Sequence, residues 1–482
     1  MKMKIQIIAK KQISLLLTLV LITALLSSCG SKEAQSPLNP ENPVTITIWH
    51  YYNGHIKDKF DALVNEFNET VGMEKGIAVD ALSLGDVGQL ADAVFASANQ
   101  DMGTDPLPDI FAAYPDNAIR IHQIVGLVSL KNYFSEEELN RYRPEFLEEG
   151  CFGAGEELYI MPIAKSFEAL FVNENAWRSF ADSRGYSDQD IQTWEGLLEI
   201  SEAYHNETGK SFFSLDANAN YMLLASMQLG EELYSYQDDG TAVLNLTEET
   251  AEQIWNHYYI PYLKGYFTKS GRFSSDDAKT GKVLAYTGST AGSAYFPTEV
   301  TLSESQVVQA DPLVLPYPYF RDGTPFVIQQ GAGMCIINSD PAHEYGAAEF
   351  LRWFTQPEQN IEFAVSTGYF PVMKEALEAG LLLEALEETD LSNPAIGQAI
   401  NTSVDMLENY SLYNNKPFSG SYEMRNLLET HLSEKVRKDL EKLQQEVADG
   451  GNREVVIARM SSRDEFTKWF EDLKTAGKKI QN

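Results

Sequence analysis

What most limits the fold of this chain is an alternation of strand-like and helix-like segments that begins at Val44. Val44-Thr-Ile-Thr-Ile-Trp49 alternates in the manner of a half-buried strand and is rich in β-branched residues. Tyr51-Tyr-Asn-Gly54 ends it, and Phe60, Leu63, Val64 and Phe67 then recur along one helix face. Ile77-Ala-Val-Asp-Ala81 repeats the strand pattern, and Leu90, Val94 and Phe95 the helical one. Pro108-Asp-Ile-Phe-Ala-Ala113 is a third strand, running into a loop at Tyr114-Pro-Asp-Asn117. Strands separated by helices argue for a largely parallel sheet covered by those helices. In such sheets ligands collect beyond the carboxyl ends of the strands, which points at the residues after Trp49 and after Ala113.

Further along, Leu158-Tyr-Ile-Met-Pro-Ile-Ala164 predicts a strand broken by Pro162, and Leu170-Phe-Val-Asn173 resumes extended structure. Helices are predicted over 193–204 and 221–234. Lys282 to Thr287 is a short strand that ends in a loop of small residues, Gly288 to Ser293. Pro312 to Pro325, rich in proline and aromatics, suits a linker, and Gly331-Ala-Gly-Met-Cys-Ile-Ile337 reads as a buried strand. A helix follows over 344–354. Met424, Leu428, Leu432, Val436, Leu440, Leu443 and Val447 form the apolar stripe of a long helix packed on the body. A chain of 482 residues has room for a large core and divides into two lobes or domains.

The N-terminus carries Lys2, Lys4, Lys10 and Lys11, then an apolar stretch from Ile13 to Leu26, then Ser27-Ser28-Cys29. A basic start, a short apolar core and small residues mark an export signal, and the apolar stretch is short for a retained membrane span. The placement of Cys29 resembles the lipobox of bacterial lipoproteins. That resemblance implies removal of residues 1–28, lipid on Cys29, and a polar tether over 29–43 before the folded part. The formal charge of −33 argues against nucleic acid as a partner, because phosphate binding needs a basic face. Cys151 and Cys335 read as separate buried thiols, although an exported protein permits their pairing.

Several of these segments, in order, resemble the extracellular solute-binding proteins of sugar-class ABC transporters (family 1, the maltose-binding-protein-like group). They are Thr-Ile-Thr-Ile-Trp49, Pro108-Asp-Ile-Phe111, Leu158 to Ala164, Ala169-Leu-Phe-Val-Asn173, Phe350 to Glu358, and Thr367-Gly-Tyr-Phe-Pro-Val372. The resemblance implies a two-lobed α/β fold of the periplasmic-binding-protein type (type II), with hinge crossings and a ligand cleft between the lobes. One lobe would comprise 44–163 with 331–368, the other 164–330 with 369–482. It further implies a monomeric, non-catalytic receptor without a cofactor. The receptor would capture a carbohydrate, close on it by a hinge motion, and deliver it to the permease of an importer.

Sugars ask for aromatic rings against their faces and for carboxylates or amides on their hydroxyls. By position in the family's pattern, Tyr51, Asn53, Asp116, Ser166, Ser289, Gly331 and Tyr369 are the expected ligand contacts. Tyr52 is as readily a core residue, and Trp49 packs in its strand. Asp116 is alternatively a turn-forming aspartate after Pro115. Ser289 is alternatively part of a loop that touches nothing, and Lys165, beside Ser166, a surface residue. Gly331 and Gly333 permit close backbone approach. Glycerol-phosphate binders resemble the chain through Tyr369-Phe-Pro371 but carry an arginine near the later segment, whereas Phe418-Ser-Gly-Ser-Tyr422 has none before Arg425. Arg425 is expected to face solvent or an acid, which favours a neutral sugar over glycerol phosphate. A secreted glycoside hydrolase would need a carboxylate pair across one bond, and no motif singles one out. A metal-binding lipoprotein has only His50 and His55 close together. A purely adhesive lipoprotein would leave the crossing-segment motifs without a purpose.

Overall fold

The computed structural model describes residues 37–480 apart from 154, 156, 238, 378 and 415. The export signal, Cys29 and residues 30–36 of the tether lie outside the described residues.

The chain starts β1 (Val44–His50), α1 (Gly54–Phe67), β2 (Ile77–Ser83), α2 (Val87–Ala98), β3 (Ile110–Ala113) and α3 (Pro115–Val125). β1 lies between β2 and β3 and is parallel to both, with Val44 opposite Ile77 and Ile48 opposite Ile110. The alternation read in the sequence is the reason for this placement: Ile46 and Ile48 are fully buried, whereas Thr45 is exposed and Thr47 half-buried. Asp109 fastens the pair. Its carboxylate accepts the Thr47 N–H and hydroxyl, each at 2.8 Å, and the Thr47 hydroxyl accepts the Asp109 N–H at 3.0 Å.

A second sheet is built around β4 (Ser166–Asn173), with β5 (Phe213–Leu215), α4 (Asn218–Gln228), β6 (Ala285–Ser289), β7 (Pro312–Pro316) and β8 (Phe326–Gln330) following in sequence. β6, β7 and β8 all pair antiparallel with β4, and β5 is parallel to β6. β4 is therefore shut in from both sides, and seven of its eight residues are buried. The chain then returns to the first sheet as β9 (Gly333–Ile336), antiparallel to β3, and covers it with α5 (Pro341–Phe354), while α6 (Pro357–Thr367) packs on α1. α7 (Pro394–Asn409) packs on β7, β10 (Ser411–Tyr413) adds to β8, and α8 (Ser421–Ala448) lies across α4, with α9 (Arg463–Ile480) behind it.

Four expectations change. Residues 115–117 open a helix rather than a loop, since Pro115 stands at the first helical position, where its missing N–H is not needed. Pro312–Pro316 is a strand rather than a linker. It pairs with β4, and its prolines fall at the two ends. The helix expected over 221–234 stops at Gln228, before Gly230 at φ +86°, and Tyr234–Tyr236 is the first strand of a hairpin with Ala242–Leu244. The loop expected over 288–293 is instead the end of β6 and a 3-10 turn, Thr290–Tyr295. Cys335 is a fully buried free thiol and Cys151 is half-buried; no disulfide joins them.

Candidate ligand cleft

Three segments pass between the sheets, near 163–166, near 330–333 and after Gly368, and they touch one another. The Lys165 N–H donates to the Phe370 carbonyl at 2.8 Å and the Phe370 N–H to the Lys165 carbonyl at 2.5 Å. Gly331 lies so close to the first crossing that a Cβ on it would stand 2.4 Å from the Ala164 carbonyl oxygen. Its φ of +89° also requires glycine.

Two cavities lie beside these crossings, between the carboxyl end of β3, the end of β8 and the first turns of α4 and α8. The larger, about 30 Å³, is lined by Tyr114, Pro115, Asp116, Glu149, Asn220, Ile328, Gln329, Gln330 and Arg425. The smaller, about 10 Å³, shares Tyr114, Pro115 and Glu149 and adds Lys165, Gly331 and Gly333. Such volumes admit a water or two and no sugar ring, so this is a closed form of the cleft. Contacts across its mouth agree. Arg272 pairs with Asp86, the Tyr295 hydroxyl donates to the Asn53 carbonyl at 3.1 Å, and Arg120 lies between Phe95 (3.7 Å) and Tyr422 (4.1 Å).

The walls carry ionisable groups although they are buried. Asp116 is 5 % exposed; burial raises its carboxyl pKa, and Arg425 and Arg120 act against that rise. Glu149, also buried, is raised by burial and pulled back by Lys165, whose ammonium is bonded to it. Glu168, on β4, is 2 % exposed and raised to about 7, burial being the largest cause and the Asn220 hydrogen bond the main opposing one. One Glu168 oxygen, Oε1, accepts from Asn220 Nδ2 at 2.6 Å and from Gln330 Nε2 at 2.9 Å. Asn220 Oδ1 in turn accepts from Arg425 at 2.8 Å. Glu168 thus fixes which way the two cavity-lining amides point.

Of the expected contacts, Asp116 and Gly331 line the cavities. Tyr51 and Tyr369 form a hydroxyl cluster on the crossings. Their hydroxyls are 3.2 Å apart, and that of Tyr51 accepts the Ala332 N–H, as that of Tyr114 accepts the Gly331 N–H, each at 3.2 Å. Tyr369 also stacks on Phe363, and both it and Tyr52 are buried. Ser289 donates to Ser166 at 3.0 Å, away from both cavities. Asn53 lies exposed at the mouth, its side chain donating to the Gly85 carbonyl at 3.3 Å. One expectation is corrected, and another is narrowed. Lys165 is not a surface residue but 1 % exposed, because Glu149 neutralises it. Arg425 is half-buried and lines the larger cavity, and of its two expected surroundings it has the acids: its charge works against the raised pKa of Asp116, Glu149 and Glu168. Glu149, Glu168 and Asn220 were not expected. An acid inside the apolar run of β4 is the signal that would have found Glu168. His50 and His55 do not converge: the first accepts the Tyr52 N–H at 3.1 Å, and the second bonds the Ser366 carbonyl at 2.9 Å.

Residues 62–396 match the family model described as bacterial extracellular solute-binding protein. The chain belongs to that family. Solved structures agree on the two-lobed fold. The cyclic alpha-maltosyl-1,6-maltose binding protein of Arthrobacter globiformis superposes with a TM-score of 0.66 at 18 % identity, over 91 % of this chain and 99 % of that one. UgpB of Mycobacterium tuberculosis, solved in complex with glycerophosphocholine, gives 0.65 at 18 %, over 91 % and 98 %. An ABC substrate-binding protein of Listeria monocytogenes, in complex with cycloalternan, gives 0.63 at 14 %, over 89 % and 100 %. No curated protein matches the sequence.

Proposed function

We propose that this solute-binding protein is a lipid-anchored receptor, held at the membrane through Cys29, that captures a sugar or oligosaccharide and hands it to the permease of an ABC importer. The observation that carries the reading is the wall of the cleft. Asp116 and Glu149 from one side face Asn220, Gln330 and Arg425 from the other, an array of acceptors and donors suited to hydroxyl groups. Binding there is reversible and needs no chemistry; the lobes, 44–163 with 331–368 and 164–330 with 369–482, open to admit the ligand. One structural neighbour is named as a cyclic alpha-maltosyl-1,6-maltose binding protein and another was solved in complex with cycloalternan, which supports the same ligand class.

Arg425 supports a second reading. A guanidinium in the cavity wall is a fit anchor for a phosphate, and UgpB is a neighbour in fold. Calorimetry of the protein with maltotriose, mannotriose and glycerophosphocholine separates the two. Heat from an oligosaccharide alone supports the first reading, and heat from the phosphodiester alone replaces it with the second. Membrane recovery of the Cys29→Ser variant tests the anchor, which the account expects to be lost.

A further inference from the structure

A lysine and a glutamate at 1 % and 7 % exposure form a pair that packing alone does not require. Taking both charges out of water costs several kcal/mol, and apolar residues of the same volume commonly serve stability as well or better. The position of this pair is informative. Lys165 is the residue at which the crossings meet: its backbone is bonded in both directions to Phe370, and its ammonium, besides holding Glu149, lies 3.4 Å from the Gly331 carbonyl. Glu149, at the other end of the pair, lines both cavities. Lys165 takes Oε2 of that carboxylate, and among the described residues nothing donates to Oε1.

We propose that Lys165 is a positioning residue that ties occupancy of the cleft to the hinge. A ligand bonded to Glu149 draws on an ammonium that also grips the second crossing, on a residue whose backbone grips the third. All three segments then respond together. The inference rests on the cleft being the ligand site, but its test does not need a known ligand.

The experiment is hydrogen exchange, read by mass spectrometry, on the full chain and on Lys165→Met, Glu149→Gln and the double variant K165M/E149L. The double variant removes both charges, so it folds even where a single variant, with one charge left bare, does not. Exchange at least fivefold faster in all three crossings, 161–167, 329–334 and 367–373, with the strands of both sheets unchanged, is the expected result. Acceleration confined to 147–151 and 163–166 would overturn the proposal and leave a local ion pair. A second arm titrates maltotriose, mannotriose and glycerophosphocholine. For whichever binds the native protein, the double variant should lose at least tenfold in affinity at a native melting temperature. Native affinity in that variant would overturn the coupling. Silence of the native protein towards all three would count against the carbohydrate reading, and the exchange arm would still decide this one.

Discussion

Replacing Glu168 with glutamine should make the protein more stable at alkaline pH and leave it unchanged near pH 4. The carboxyl titrates at about 7 in the folded chain against 4.5 for an ordinary glutamate, and burial is the main cause. Its folded pKa is raised, so folding keeps a proton that the unfolded chain gives up. The stabilisation associated with that proton is complete below about pH 4.5 and is lost as the pH climbs through 7. A difference of about 2.5 units corresponds to about 3 kcal/mol at pH 8. Glutamine keeps the geometry, because both hydrogen bonds to Glu168, from Asn220 and Gln330, end on Oε1, where glutamine also carries an acceptor. With roughly 2 cal/mol/K of unfolding entropy per residue, 3 kcal/mol moves the midpoint of a chain this long by about 3 °C. Melting curves of the two proteins from pH 4 to pH 8 should therefore coincide at the acid end and part by that amount at the other. Curves that stay parallel across the range would refute the reasoning, since Glu168 would then titrate alike in both states.

Other outcomes follow from the same geometry. Asp116→Asn should weaken binding of the cognate ligand at least tenfold in calorimetry without lowering the melting temperature, because it removes a buried charge; unchanged affinity would take Asp116 out of the site. Gly331→Ala should cost about 2–4 kcal/mol in denaturant titration, since the new Cβ meets backbone at 2.4 Å and the φ is unfavourable; a loss under about 1 kcal/mol would mean the crossing relaxes. Arg425→Gln should abolish binding of a phosphate-bearing ligand and weaken that of a neutral sugar by about tenfold or less; equal loss for both would remove Arg425 as the discriminator.

The first sheet was legible because its signal is local. Ile46 and Ile48 alternate with threonines, and the helices between strands force parallel pairing. β7 was misread because proline suggests a linker, whereas Pro312 and Pro316 close the two ends of a strand that reaches β4. The place of Asp116 at the cavity wall was legible from its position after a strand. Lys165 and Glu149 were not, since sixteen residues of chain separate two charges that are buried only in each other's company. Arg425 shows the same limit: the periodicity of α8 was plain, but periodicity does not say which neighbour the first turn of a helix meets. In space that neighbour is α4, and Asn220 of α4 carries the link to Glu168.

The central claim, that the cleft between the sheets is a carbohydrate site, is tested most directly by calorimetry of the native protein and of Asp116→Asn with the same oligosaccharides. The account predicts saturable binding of at least one oligosaccharide to the native protein and a loss of tenfold or more in the variant. Equal binding by both proteins would place the sugar elsewhere, and heat from glycerophosphocholine alone would contradict the ligand class.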